Sequence, residues 1–567
     1  MIPRTPDRPA VRLVLLWHMH QPDFRDCATG EFRLPWVYLH ALKDYSDMAA
    51  HLERHPGMRV VVNFVPVLLD QLEDYANQLE TGNLRDPLLA LLSRPDLERL
   101  SRADRELVLD RCFRANHEKM IEPYPAYNRL KELFRLTDAQ GPDALEYLSG
   151  QYIADLLTWY HLSWTGETVR REHALVAQLM ARGSGFTPQD REALVALIGQ
   201  VIRGILPRWR ALAASGQVEI SSTPHYHPIG PLMLDFGVAR ETQPEVALPY
   251  ADCYPGGRQR LSTQIEWAKE SHARRFGSLP KGMWAAEGAV SGAFIGLLGD
   301  AGIAWTASGQ GVLAASLPVV PGLSKARDLY RGYRCGDTGV VCFFRDDQLS
   351  DRIGFDYGRW HGRDAAADFI AELERVGSEA PAGEVPLVSV ILDGENAWEY
   401  YPYNGYYFLD DLYSALEAHE GVLTTTYSDA LTECNGEFGD LAQVRAGSWV
   451  YGNLSTWIGH PDKNRAWDLL CEAKHQYDLV IDSGRLSPSQ REAASRQLGA
   501  CEGSDWCWWF GDYNPPESVT AIDEVYRASL SRLYSLLGLP APTALQVPVS
   551  RGGLRHSNTA GAMRRST

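Results

Sequence analysis

Two carboxylates close apolar, strand-like runs of this chain. Glu287 ends Gly282-Met283-Trp284-Ala285-Ala286-Glu287-Gly288, and Asp393 ends Val388-Ser389-Val390-Ile391-Leu392-Asp393-Gly394-Glu395. They stand 106 positions apart, so only tertiary folding brings them together. Two such acids can break a glycosidic bond: one attacks or stabilises the sugar cation, and the other protonates the leaving oxygen. Glu395 falls on the same side of an extended segment as Asp393, and the chemistry alone does not choose between them.

Histidines add a second set of candidates. His18 and His20, in Trp17-His18-Met19-His20-Gln21-Pro22, are two apart and share one face of an extended strand. His225 and His227 repeat that spacing in Thr223-Pro224-His225-Tyr226-His227-Pro228. Such rings hydrogen-bond sugar hydroxyls, sit satisfied in a core, or bind a metal. Four imidazoles would supply a zinc centre, the mark of a metal-dependent deacetylase or an α-mannosidase-like hydrolase. Aromatic residues crowd after Asp393 (Trp398, Tyr400, Tyr401, Tyr403, Tyr406, Tyr407) and again at Trp449, Trp457, Trp506, Trp508 and Trp509. Flat rings with polar edges suit sugar faces, although such residues are more often core or interface.

The elements that must position these groups read as a parallel α/β fold. Val11–Trp17, Arg59–Phe64 and Gln217–Ser222 are buried-strand runs rich in β-branched residues, each followed by a polar or proline-marked cluster. Leu261, Ile265, Ala268, His272 and Phe276 recur at helical spacing before the stop at Gly277. The strand carrying Glu287 follows, then a helix over Ser291 to Ala301 and a strand from Ile303 to Ser308. Because the polar clusters follow the strands, a parallel barrel gathers them on its C-terminal face. A barrel of seven or eight strands over residues 10–425 is therefore expected. Helical insertions are predicted at about 70–215, an α-helical C-terminal domain over 426–545, and a disordered tail over 546–567.

Length and composition agree with that division. The 567 residues exceed one ordinary core, and 45% hydrophobic with 22% charged residues is usual for a globular chain. A net charge of −17 disfavours nucleic-acid or anionic-membrane partners. Nine cysteines without CxxC spacing, no signal-like apolar core and no membrane-length run point to a cytoplasmic protein with free thiols.

Five ordered segments resemble the sequence regions of glycoside hydrolase family 57. They are Trp17–Pro22, Gly216–Pro228, Gly282–Glu287, Leu392–Asn396, and Gly447–Trp449 with Asn453–Asn464. The resemblance implies a (β/α)7 barrel closed over by a helical domain, and retaining chemistry on an α-glucan or maltooligosaccharide without metal or cofactor. It implies Glu287 as nucleophile and Asp393 as general acid/base. His18, His20, His227, Trp284, Glu395, Trp449, Trp457 and Asp462 then become candidate substrate-binding residues. Asp393-Gly394-Glu395-Asn396 with Trp398-Glu399, and Phe344-Arg345-Asp346 with Leu349-Ser350-Asp351, are most similar to α-amylase and amylopullulanase-like members. Transglycosylation, by a 4-α-glucanotransferase or branching enzyme, is the alternative that the same intermediate allows.

Overall fold

The computed structural model describes residues 10–26, 28–318, 322–433 and 438–553. Cys27, Cys434 and the expected tail over 554–567 lie outside the described residues. Among the described residues nine strands form one sheet: β1 (Val11–Met19), β2 (Val60–Phe64), β3 (Val218–Ser221), β4 (Trp305–Gly309), β5 (Tyr333–Cys335), β6 (Val341–Arg345), β7 (Leu387–Asp393), β8 (Val422–Thr424) and β9 (Gly439–Leu441).

Five of them plus β3 close into a seven-membered parallel ring through one irregular segment. β3, β2, β1, β7, β6 and β4 pair in that order, all parallel. Residues 282–284 bridge the gap, with Ser222 paired to Met283 and Gly282 paired to Trp305. Trp284 N–H donates to Ser222 O at 2.8 Å, and Met283 N–H to Trp305 O at 3.0 Å. The predicted (β/α)7 barrel is thus present, and its fourth strand is the short run that carries Glu287.

Period-two alternation explains both the core and the site. Val14 and Leu16 of β1, Val61 of β2, Ala307 of β4, Phe343 of β6 and Ile391 of β7 belong to one cluster, the barrel interior. The next inward positions toward the C-terminal ends are His18, Asn63, Arg345 and Asp393. The same faces are apolar below and polar above, which is how a parallel barrel separates stability from chemistry.

Helices predicted from periodicity are found close to their expected limits. Gly257–Phe276 ends at Gly277 in the left-handed conformation (φ 80°), and Gly292–Asp300 starts from a Ser291 cap. Between β2 and β3 the chain is helical among the described residues, from Pro66–Thr81 to Pro188–Ala214. The C-terminal region contributes Pro461–Asp482, Pro488–Cys501, Asp505–Trp509 and Pro516–Leu536.

Two boundaries differ from the sequence reading. The barrel recruits chain beyond residue 425: Tyr427 and Ala430 plug its interior, and β9 pairs with β5. A three-residue strand is too short to show periodicity, so it left no mark in the sequence. Residues 546–553 are not a loose tail. Asp523 accepts from the Val549 and Ser550 amides, and Val549 and Ser550 are buried. A buried carboxylate on the facing helix supplies the order that composition concealed.

Candidate active site

The inward-facing strand ends open into a cavity of about 550 Å³. His18, His20, Glu287, Asp393, Glu395 and Trp449 all line it. The resemblance-derived nucleophile and acid/base positions therefore share one cavity.

Glu287 sits on a strained turn. Its φ of 59° is left-handed, a region that a non-glycine residue enters only when its surroundings hold it there. The loop of the fifth sequence region does the holding. Gly447 pairs with Val290, and Trp449 N–H donates to the Glu287 carbonyl at 3.1 Å. The indole Nε1–H of Trp449 then donates to Glu287 Oε2 at 3.1 Å. Burial lifts the Glu287 carboxyl well above the usual carboxylate range, and the charges of Asp393 and Asp505 lift it further; the indole bond acts the other way.

Asp393 ends β7. Asn396 Nδ2 donates to its Oδ2 at 2.8 Å. Burial raises its pKa, while that bond, His20 and Arg345 favour the charged form. A charge on Asp393 in turn raises the Glu287 carboxyl. Glu395, almost fully enclosed, accepts from the His20 amide at 3.1 Å and from Gln21 Nε2 at 3.4 Å. Burial first, and the Asp393 charge second, hold it well above its ordinary pKa.

Three histidines converge, and the fourth does not. The rings of His20 and His227 stack at 3.9 Å, and those of His18 and His227 at 5.0 Å. His18 Nδ1 bonds Asn63 Oδ1 (2.7 Å), His20 Nε2 bonds Asp505 Oδ1 (2.9 Å), and His227 Nδ1 bonds Ser504 Oγ (2.9 Å). Burial and His20 depress His18 to about 3, so its imidazole is neutral at pH 7. His227 is likewise pushed well below its ordinary value by burial. His225 turns away to Asp70 at 3.0 Å. Among the described residues no group of three or more His, Cys, Asp or Glu is arranged to hold a metal ion. The four-histidine zinc reading therefore loses its ligand set.

The remaining candidates do not line the cavity. Trp284 is fully buried and meets Trp449 edge-on at 5.1 Å. Trp457 is also fully buried, and its Nε1–H donates to Ser448 Oγ at 3.1 Å, bracing the loop of Trp449. His227 backs His18 and His20. Asp462 accepts from Ser550 Oγ at 2.8 Å and so ties down the end of the C-terminal region.

Residues outside the sequence-derived set complete the cavity. Asp505, Trp508 and Trp509 come from the C-terminal region, and Phe113 and His117 from the helical insertion. The tryptophans stood out as an aromatic cluster in the sequence. Asp505 did not, since nothing local distinguishes it from a surface acid.

Comparison with known proteins now bears on this geometry. The model of glycosyl hydrolase family 57 matches residues 14–440. The chain belongs to this family. It is therefore an enzyme of glycosidic bonds, and the family's match takes in Glu287 and Asp393 together. Among solved structures, a branching enzyme of the family from Pyrococcus horikoshii is 16% identical, with TM-score 0.56 over 93% of this chain and 88% of its own. A family 57 branching enzyme from Thermococcus kodakaraensis is 16% identical, with TM-score 0.58 over 93% and 90%. The α-amylase AmyC of Thermotoga maritima is 14% identical, with TM-score 0.54 over 94% and 93%. These likenesses show the fold. Comparison with curated proteins finds no match in sequence. No helix among the described residues is long and apolar enough to cross a membrane.

Proposed function

We propose that this family 57 enzyme is a retaining hydrolase of α-glucans, cleaving α-1,4 bonds as an α-amylase does, or α-1,4 and α-1,6 bonds as an amylopullulanase does. The meeting of Glu287 and Asp393 in one cavity carries the reading. Glu287 attacks the anomeric carbon and forms a glycosyl ester, while Asp393 gives its proton to the leaving oxygen. Water then adds as Asp393 takes its proton, and the ester breaks.

Burial raises both carboxyls, Glu287 the more strongly, so the division of roles rests on the indole bond to Glu287 and on the family pattern and not on these shifts. The Trp449 indole stabilises the ionised nucleophile. Neutral His18 offers a ring nitrogen to a sugar hydroxyl without placing a charge in the site. Trp508, Trp509 and Phe113 supply apolar faces against which sugar rings can stack. The relatives named as α-amylase and branching enzymes support the α-glucan substrate class, and the free cysteines support a cytoplasmic setting.

The test is product analysis on maltooligosaccharides, starch and pullulan. The first product formed should carry the α anomer, seen by proton NMR, and Glu287→Ala should abolish its formation. A β product appearing first would refute retention. Products longer than the substrate would assign the intermediate to a sugar acceptor in place of water.

A further inference from the structure

Two tyrosines stand out beyond the cavity. Tyr403 and Tyr407 are 58% and 48% exposed, with ring centroids 5.5 Å apart and planes nearly perpendicular. The backbone that presents them is unusual. Tyr403 and its neighbour Asn404 both take left-handed angles (φ 53° and 54°), a costly conformation for two successive non-glycine residues.

The turn is pinned from beneath. Asn404 Oδ1 accepts from Lys43 Nζ at 3.0 Å, and its Nδ2 donates to Asp47 Oδ2 at 3.0 Å. Both Lys43 and Asp47 are buried. Tyr407 is fixed from the side, its hydroxyl accepting from Arg171 at 3.0 Å. The Arg171 guanidinium lies 4.1 Å from the Tyr406 ring and 5.2 Å from that of Tyr407. The rings are therefore rigidly presented, with donors at their edges.

Their position follows from the chain. Glu399 and Tyr400 line the catalytic cavity. Three peptide units carry the backbone from Tyr400 to Tyr403, at most about 11 Å. Lys43, which anchors the turn, also acts on the charge of Glu399 in the cavity wall. A protein-docking face would present a contiguous apolar patch. Here Arg171, paired with Glu167, lies against Tyr407, and Arg54 lies over the neighbouring Tyr406 ring, an aromatic surface with a polar rim that matches the apolar face and hydroxyl edge of a sugar.

We propose that Tyr403 and Tyr407 form a secondary glucan platform outside the cavity, holding the continuing chain of an α-glucan whose reacting bond lies at Glu287 and Asp393. It rests on the α-glucan reading above. The strained turn is kept because it aims the ring of Tyr403 outward, and the buried Lys43–Asn404–Asp47 bonds hold it there.

The test uses the full chain carrying Glu287→Ala, so that ligand is not consumed, and measures binding of amylose and of maltotriose by calorimetry. Adding Tyr403→Gly removes the ring while relieving the backbone, so the variant should fold at least as stably. It should weaken amylose binding by about fivefold or more and leave maltotriose within about twofold. Tyr403→Trp, which restores a ring, should keep amylose binding. Equal amylose binding by the parent and Tyr403→Gly would overturn the platform alone. Failure of the parent to bind either glucan would remove the α-glucan reading, and the platform with it.

Discussion

The indole N–H of Trp449 donates to the carboxylate of Glu287 across 162 positions of chain, at 3.1 Å. This bond joins the fifth sequence region to the third and favours the ionised form of the proposed nucleophile. Trp449→Phe removes the donor and keeps the ring. The Glu287 pKa should rise, because the charged form loses its partner. The acid limb of the kcat/KM profile should therefore move to higher pH, with activity at pH 6 reduced by about tenfold. An unmoved acid limb would mean that the bond does not tune Glu287.

Asp505 should act with the opposite sign. It holds His20 at 2.9 Å, and its charge adds to the lift on Glu287. Asp505→Asn should lower the Glu287 pKa and shift the acid limb to lower pH. It should also lower kcat/KM by about tenfold or more, because His20 loses a charged partner. Finding the same direction of shift as in Trp449→Phe would contradict this electrostatic account.

The left-handed backbone at Glu287 predicts an uncoupling of stability from activity. Glu287→Gly and Glu287→Ala should both lose at least about a thousandfold in turnover. Glycine tolerates φ 59° and alanine does not, so Glu287→Gly should be the more stable of the two by about 1 kcal/mol. Urea unfolding of both variants, compared at one pH, decides this.

Glu399 offers a pH test of stability. Burial raises its pKa from 4.5 to about 7, with Lys43 opposing and Asp44 adding to the lift. A folded-state pKa above the unfolded one gives stability that is complete below about pH 4.5 and declines as pH rises through about 7. Glu399→Gln has no such decline. Relative to the parent, its stability should rise between those limits by up to about 3 kcal/mol and stay level above them. Urea midpoints from pH 4 to 8 would check it, and a constant difference across that range would reject it.

Much of this was legible before folding because it is local. Val11–Trp17, Val388–Asp393 and Gln217–Ser222 announced buried strands, and the Gly277 stop fixed the end of a helix. Alternation then determined that Asp393 and His18 continue the inward faces of their strands. The contributions of Asp505, Phe113 and His117 were not legible. They reach the cavity from irregular or helical segments whose local pattern is that of solvent-facing residues. Ring closure was expected from the run that carries Glu287, but residues 282–284 make it through isolated bridges in place of a regular strand.

The sequence by itself determined the inventory: which acids, which strand ends and which family pattern. It does so because side-chain alternation and turn chemistry act over a few residues. Only the tertiary structure decided which of those groups share a cavity and in what electrical state. His225 was drawn off to Asp70, Trp284 and Trp457 went to the support of the Trp449 loop, and Asp462 to the C-terminal segment. Glu287 was set under the Trp449 indole within reach of the Asp393 charge. Burial and charge coupling depend on distance in space, and distance along the chain carries almost none of that information.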